Sequence, residues 1–159
     1  MRRKDKQVSD KTLLYSVIEK ATVCRMGLVD NDRPYIVPLC FGFDGTHIYI
    51  HSAKSGEKVR ILRQNNNVCL EFEQDIEVIK GHKPCQWSMR YFTVIVHGKA
   101  ELVDDITQKS YGLSRIISHY SHENKELTFT AEDLESVLLF KITPISITGK
   151  ASGIRKELI

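Results

Sequence analysis

Several absences narrow what this chain of 159 residues can be. No apolar run approaches the roughly 18 residues needed to cross a bilayer as a helix. The opening M-R-R-K-D-K-Q leads into an amphipathic pattern rather than the apolar core of a signal peptide, so a cytoplasmic protein without a membrane partner is expected. Basic and acidic side chains nearly balance, 23 against 20, and lack the excess of a nucleic-acid binder. Cys24, Cys40, Cys69 and Cys85 include no C-x-x-C pair, and His82-x-x-Cys85 has no second pair, so no metal site is expected. The first three cysteines fall in predicted strands, where a reduced thiol acts as a small core side chain. Also missing are the Walker loop, a G-x-G-x-x-G after a strand, G-x-S-x-G, H-E-x-x-H and the paired carboxylates of a glycosidase. With no nucleophile or acid–base arrangement evident, a cofactor is expected to carry any chemistry.

What is present describes one domain over residues 1–159, with 1–8 and 151–159 as mobile tails; its 42% hydrophobic and 27% charged content is ordinary for a globular protein. Ser9 is placed to cap a helix from Asp10 to about Lys20, in which Leu13, Leu14, Val17, Ile18 and Ala21 recur at helical spacing. The period then changes to two. Residues 22–29 put Cys24, Met26 and Leu28 on one face, a turn follows at 30–34, and residues 35–43 form a second strand. Asp44-Gly45 joins this strand by a hairpin to residues 46–52, with Ile48 and Ile50 on one face and His47, Tyr49 and His51 on the other. A short helix from Gly56 to about Gln64 precedes a fourth strand alternating Val68, Leu70 and Phe72 with Cys69, Glu71 and Glu73. A long strand over 88–103 must bend, and Gly98 is the expected place. Asp104 caps a third helix running to a polar loop around 121–124, one more helical turn is read at 130–134, and residues 137–147 close the chain with Pro144 at a bulge or an edge. The fold expected is mainly β: a six-stranded antiparallel barrel with short helices, an open α+β sheet being the alternative.

The segment H-S-A-K-S-G-E-K at 51–58 lies where a strand gives way to a helix. It offers an imidazole, two hydroxyls, two ammonium groups and a glycine close to backbone N–H groups that lack intrahelical partners, a combination that suits a phosphate. Ser, Gly and Lys are also ordinary loop residues, so the pattern alone leaves both readings open. Pro38, in mid-strand, removes a ladder donor; it marks either backbone left free for a flat ligand or an edge strand with a bulge. The only Trp stands in W-S-M-R-Y at 87–91, a grouping that serves equally as an interface anchor, a ligand wall or core packing. Tyr49 and His51 partly fit a nucleic-acid-binding strand face, but Glu71, Glu73 and the balanced charge oppose it.

Taken in order, V-C-R-M-G-L-V at 23–29, P-Y-I-V-P-L-C-F at 34–41, I-Y-I-H-S-A-K-S-G-E-K at 48–58, N-x-V-C-L-E-F at 66–72, C-Q-W-S-M-R-Y at 85–91 with V-I-x-x-G-K-A at 94–100, and T-G-K at 148–150 form a recognisable series. The chain resembles the flavin-binding split-barrel proteins related to pyridoxamine 5′-phosphate oxidase, and among them the nitroimidazole-resistance group. That resemblance implies a homodimer with an FMN in each cleft between subunits. It implies that His51, Ser52 and Lys58, with backbone of Gly56 and Glu57, meet the phosphate, and that Val37, Pro38 and Leu39 run along the ring edge. It further implies that Trp87, Ser88 and Tyr91 approach the ring from the other subunit. Tyr35 and Cys40 stand where the vitamer oxidases carry extra basic residues, which argues against oxidation of a phosphorylated vitamer. The activity implied is FMN-dependent reduction of a small flat acceptor such as a 5-nitroimidazole, with His51 as the candidate catalytic residue; the alternative is a flavin or haem carrier without turnover.

Overall fold

The computed structural model describes residues 3–121 and 128–153. After a 3₁₀ turn at Lys4–Lys6, its elements run β1 (Gln7–Val8), α1 (Lys11–Lys20), β2 (Cys24–Asp30), β3 (Arg33–Leu39), β4 (Gly42–Phe43), β5 (Ile48–Ser52) and α2 (Glu57–Gln64). There follow β6 (Asn67–Ile79), a 3₁₀ turn at Pro84–Gln86, β7 (Ser88–Leu102), α3 (Ile106–Tyr120), α4 (Ala131–Ser136) and β8 (Leu138–Ser152). All described ladders are antiparallel, in the order β3-β2-β6-β7-β8-β5-β4 with β1 beside β8.

The two ends of that path are neighbours in sequence. Laid flat, seven strands would separate β3 from β4 by roughly 29 Å, whereas Leu39 and Gly42 are three residues apart and at most about 11 Å. The sheet therefore curls into a barrel. No ladder joins β3 to β4 among the described residues, so the barrel is split along that seam. The barrel reading holds, with eight strands instead of six. The extra ones are β1 and the division of 35–43 at Cys40–Phe41, which leaves Cys40 exposed outside any strand rather than in the core.

Cys24, Met26, Leu28, Ile48, Ile50, Leu70, Phe72, Val94 and Val96 fill the barrel, and Leu14, Val17 and Ile18 of α1 plug one end. Asp10, not Ser9, caps α1, because its carboxylate accepts from Thr12 N (2.8 Å) and Leu13 N (3.2 Å). Asp105 likewise replaces Asp104 at the start of α3. Tyr49 points away from the barrel, yet is buried beneath α3 with Leu113, Ile116 and Leu139. β5 is thus covered on both faces along most of its length. The bend in β7 falls where predicted: the register shifts between His97 and Gly98, opposite Pro144–Ser146 of β8.

Parts of both expected tails lie in strands. Val8 is buried, Gln7 and Val8 pair with Lys150 and Gly149, and Lys6 Nζ donates to Ser152 Oγ at 2.7 Å. Ala151 and Ser152 are buried in β8. The remainder of those tails, residues 1–2 and 154–159, and most of the predicted loop after α3, lie outside the described residues.

Gly112 reads from sequence as a weak point in α3, but a β-carbon there would stand 2.4 Å from Leu139 Cδ2 and 2.8 Å from the Tyr49 ring. Gly112→Ala gains about 1 kcal/mol of helix propensity and is expected to lose about 1–3 kcal/mol to overpacking. A net fall in Tm on thermal melting is the expected result; a rise would mean that the helix can lift off β5 without loss.

Candidate functional site

β5 ends at Ser52, and the chain turns through 53–56 into α2. Gly56, with φ at +132°, makes that turn in a conformation closed to most side chains, and no side chain caps the helix it starts. The Lys58 ammonium reaches back to the His51 carbonyl at 3.4 Å, so the two ends of the motif meet in space. Ser52 is buried beside them. Glu57 turns its carboxylate to Arg60, whose guanidinium also pairs with Asp30 at the end of β2; this fastens α2 to the barrel and leaves the Glu57 backbone as its contribution to the turn. Burial pulls the Lys58 ammonium below its ordinary pKa. Partial desolvation, followed by the nearby Lys58 charge, does the same to the His51 imidazole. Both shifts mark a place where positive charge lacks compensation, and an anion would supply it.

At His51 the consequence can be read from stability. The folded chain holds this imidazole below its ordinary value of about 6.5, so on acidification the unfolded chain takes up the proton first. Stability supplied by neutral His51 is present above that value and is lost as the pH falls through it toward the lower folded one. His51→Gln is therefore expected to lessen the drop in Tm of the ligand-free protein between about pH 7.5 and 5.5. Parallel curves for the two proteins would contradict the assignment.

Val37, Pro38 and Leu39 lie on β3, the edge strand on one side of the seam, opposite Met26, Arg25 and Cys24. Of the two readings of Pro38, the edge strand is observed; its ladder with β2 has no bulge. Val37 and Leu39 pack against the core, so toward the open side this segment presents its backbone and the Pro38 ring. Behind the seam, Tyr120 of α3 accepts from Phe41 N and donates to the Thr22 carbonyl, both at 3.2 Å, while His119 Nε2 donates to the Ala21 carbonyl at 2.7 Å. His119 is thus engaged by the fold.

Trp87, Ser88 and Tyr91 are elsewhere. No hydrogen bond, ion pair or ring contact joins them to His51 or Lys58 among the described residues. β6 pairs with β2 only over 69–71, and β7 with β8 only from Tyr91 onward, so residues 75–79 and 88–90 form a two-stranded arm with no third strand among the described residues. Trp87 stands at its tip, 53% exposed, which excludes the core-packing reading. Ile76, Val78, Ile79 and Met89 share that exposure. At its base a groove of about 380 Å³ runs past Ile76, Met89 and Tyr91, where Lys150 Nζ lies 5.4 Å from the Tyr91 ring centre. A larger cavity, about 490 Å³, opens between α1, β1 and the bulged part of β8 and is lined by none of the candidate residues. The alternation read from sequence ends at Glu73, six residues short of the end of β6, and so leaves out the arm. The available signal was the apolar alternation of Ile76, Val78 and Met89 on either side of the break at 81–84.

A family model described as pyridoxamine 5′-phosphate oxidase matches residues 10–151. The chain belongs to that family. Among solved structures it is similar to a candidate 5-nitroimidazole antibiotic resistance protein of Bacteroides thetaiotaomicron, with 31% identity over 91% of this chain and 85% of that one and a TM-score of 0.81. The flavocytochrome Anf3 of Azotobacter vinelandii shares the fold at 16% identity, covering 99% of this chain and 76% of that one, with a TM-score of 0.82. The FAD and haem binding protein of Mycobacterium smegmatis does so at 18% identity, covering 94% and 74%, with a TM-score of 0.83. No curated protein matches the chain. No helix among the described residues is long and apolar enough to cross a membrane.

Proposed function

We propose that this protein is a flavin-dependent oxidoreductase that holds FMN in clefts between two copies of the chain and reduces a small planar acceptor of the 5-nitroimidazole type. The observation that carries the reading is the junction of β5 and α2, where Lys58 closes on His51 around a helix start without a side-chain cap. Its donors match a phosphate of about two negative charges. The residues present fit an FMN there, since a built anion end adjoins no carboxylate left unpaired: Glu57 and Asp30 are both held by Arg60.

The separation of the Trp87 arm from that junction supports the two-copy arrangement. Among the described residues the arm's large apolar side chains stay exposed, and a two-stranded hairpin alone is marginal in water. A second copy supplies the missing cover and sets Trp87, Ser88 and Tyr91 against the ring from outside. Flavin, when bound, supplies the electron transfer. The protein's own share is positional: Lys58, Ser52 and the α2 backbone hold the phosphate, β3 lays its open edge along the ring, and the arm excludes water. The Bacteroides relative, a candidate resistance protein against 5-nitroimidazoles, supports the choice of acceptor.

Purified protein tests this directly. The expected result is a yellow protein with flavin bands near about 370 and 450 nm, an FMN-sized mass on release, and consumption of a nitroimidazole under anaerobic conditions with a reduced nicotinamide donor. A colourless protein that does not take up added FMN would end the proposal. A Soret band without flavin, or bound FMN that never turns over the acceptor, would instead assign the carrier role.

A further inference from the structure

Along one side of β8 the ladder is interrupted. β7 pairs with residues 140–152 on one side, while on the other β5 takes residues 138–142 and β1 takes Gly149 and Lys150. Residues 143–148, about 20 Å of strand, therefore have no partner on that second side among the described residues. An unpaired edge offers a row of backbone N–H and C=O groups to any extended chain, and proteins ordinarily guard it with charge, proline or a bulge. Here the guard covers only the first half, where Pro144 stands and the register with β7 passes to Ser146, skipping Ile145. Ser146, Ile147 and Thr148 lie in regular register with His97, Val96 and Ile95. No side chain from 143 to 148 is charged, and Ile145 is 68% exposed.

The gap is open space as well as a missing ladder. The cavity of about 490 Å³ lies along it, bounded by Ser9 and Lys11, where β1 gives way to α1, and by Gly45 and Thr46, where the hairpin enters β5. Tyr15 lines it half-buried, and its hydroxyl makes no hydrogen bond among the described residues, so it is left to bond a guest. Lys11 is the one charged side chain of the lining and has no carboxylate partner among the described residues.

These features choose the occupant. The same edge of a second copy is recessed between its own β1 and β5, and two recessed edges cannot meet. The guest must be a short extended segment whose ends leave over Ser9 and Thr46; its backbone supplies the missing ladder, and a carboxylate on it meets Lys11. We infer that residues 143–148 of β8 accept an extended peptide of a partner protein as an added strand, with an acidic side chain of that peptide toward Lys11. The inference is independent of the flavin reading.

Five-residue peptides with blocked termini test it: T-V-E-V-T, T-V-K-V-T, and T-V-E-V-T methylated on alternate backbone nitrogens in either of the two phases. Each is titrated into the isotope-labelled full chain and into Lys11→Glu, with amide shifts and hydrogen exchange followed by NMR. The acidic peptide is expected to shift the amides of 145–148 and to slow exchange of those facing the gap at least tenfold. Only one face of an added strand bonds β8, so methylation in one phase is expected to weaken binding about tenfold or more and in the other to leave it nearly unchanged. The lysine peptide is expected to bind the parent about fivefold more weakly than the acidic one, and Lys11→Glu to reverse that preference. No binding of the acidic peptide at millimolar concentration, shifts confined to other surfaces, equal effects of the two methylation phases, or indifference of Lys11→Glu to peptide charge overturns the proposal. Protection of the gap-facing amides before peptide is added also overturns it: lost on dilution, it gives the edge to a second copy, and otherwise to another part of this chain.

Discussion

Lys58→Ala is expected to weaken FMN binding by about 10- to 100-fold, on the scale of a hydrogen bond to a charged group at roughly 1.5–3 kcal/mol, and to leave riboflavin nearly unchanged. The contrast follows from where Lys58 sits. Its ammonium is half-buried, contacts the His51 carbonyl at 3.4 Å and forms no ion pair among the described residues, so truncation removes charge from the junction without orphaning a carboxylate. Riboflavin has the ring and the ribityl chain but no phosphate to miss the lost charge. Lys58→Arg is expected to recover part of the affinity, since Arg keeps the charge with a different reach. The measurement is quenching of flavin fluorescence on titration at fixed ionic strength. Equal losses for FMN and riboflavin would place Lys58 beside the ring or in the fold rather than at a phosphate.

The meeting of Lys58 with His51 is legible in sequence because it is local. Strand, turn and helix start follow one another within 51–58, and the residues that meet are seven apart. The strands were legible for the same reason: Cys24, Met26 and Leu28 alternate with exposed or half-buried neighbours, and Pro144 can lie in a long strand only where a ladder bond is dispensable. The seam between β3 and β4 was not. Nothing local stops a strand at Cys40–Phe41. The stop comes from Phe41 turning fully inward beside Phe72, ring centres 4.9 Å apart, and from a Tyr120 hydroxyl 79 residues away taking its N–H. β1 was missed because its two residues are strand only through Gly149 and Lys150, at the far end of the chain.

The same distinction separates the two halves of the candidate site. A phosphate end can be written in eight consecutive residues, because a helix start and one lysine supply what an anion needs. A ring pocket needs walls from several directions. Val37 and Leu39 have their side chains in the core and offer the open side mainly backbone, so the identity of those residues says little about the ligand. On the proposed reading, specificity toward an acceptor then falls to the exposed side chains of the arm.

Trp87→Ala should accordingly shift the chain from dimer toward monomer and lower flavin occupancy in the same preparations. Five large apolar side chains, Ile76, Val78, Ile79, Trp87 and Met89, are each at least 40% exposed on an arm of two strands. Such a patch marks an interaction surface, and aromatic anchors at the centre of an interface commonly account for about 2 kcal/mol or more when truncated, which, lost from both copies of a symmetric dimer, is enough to move a dimer constant on the order of a thousandfold. Among the described residues Trp87 makes no ring contact and stands outside both core clusters, so its loss is expected to leave the Tm of the monomeric state almost unchanged. Sedimentation velocity over a dilution series, read together with the ratio of flavin to protein absorbance, reports both effects. A dimer that loosens while flavin stays bound would confine Trp87 to the interface, a tight dimer that loses flavin would confine it to the ring, and a variant unchanged in both would leave the arm without the role given to it.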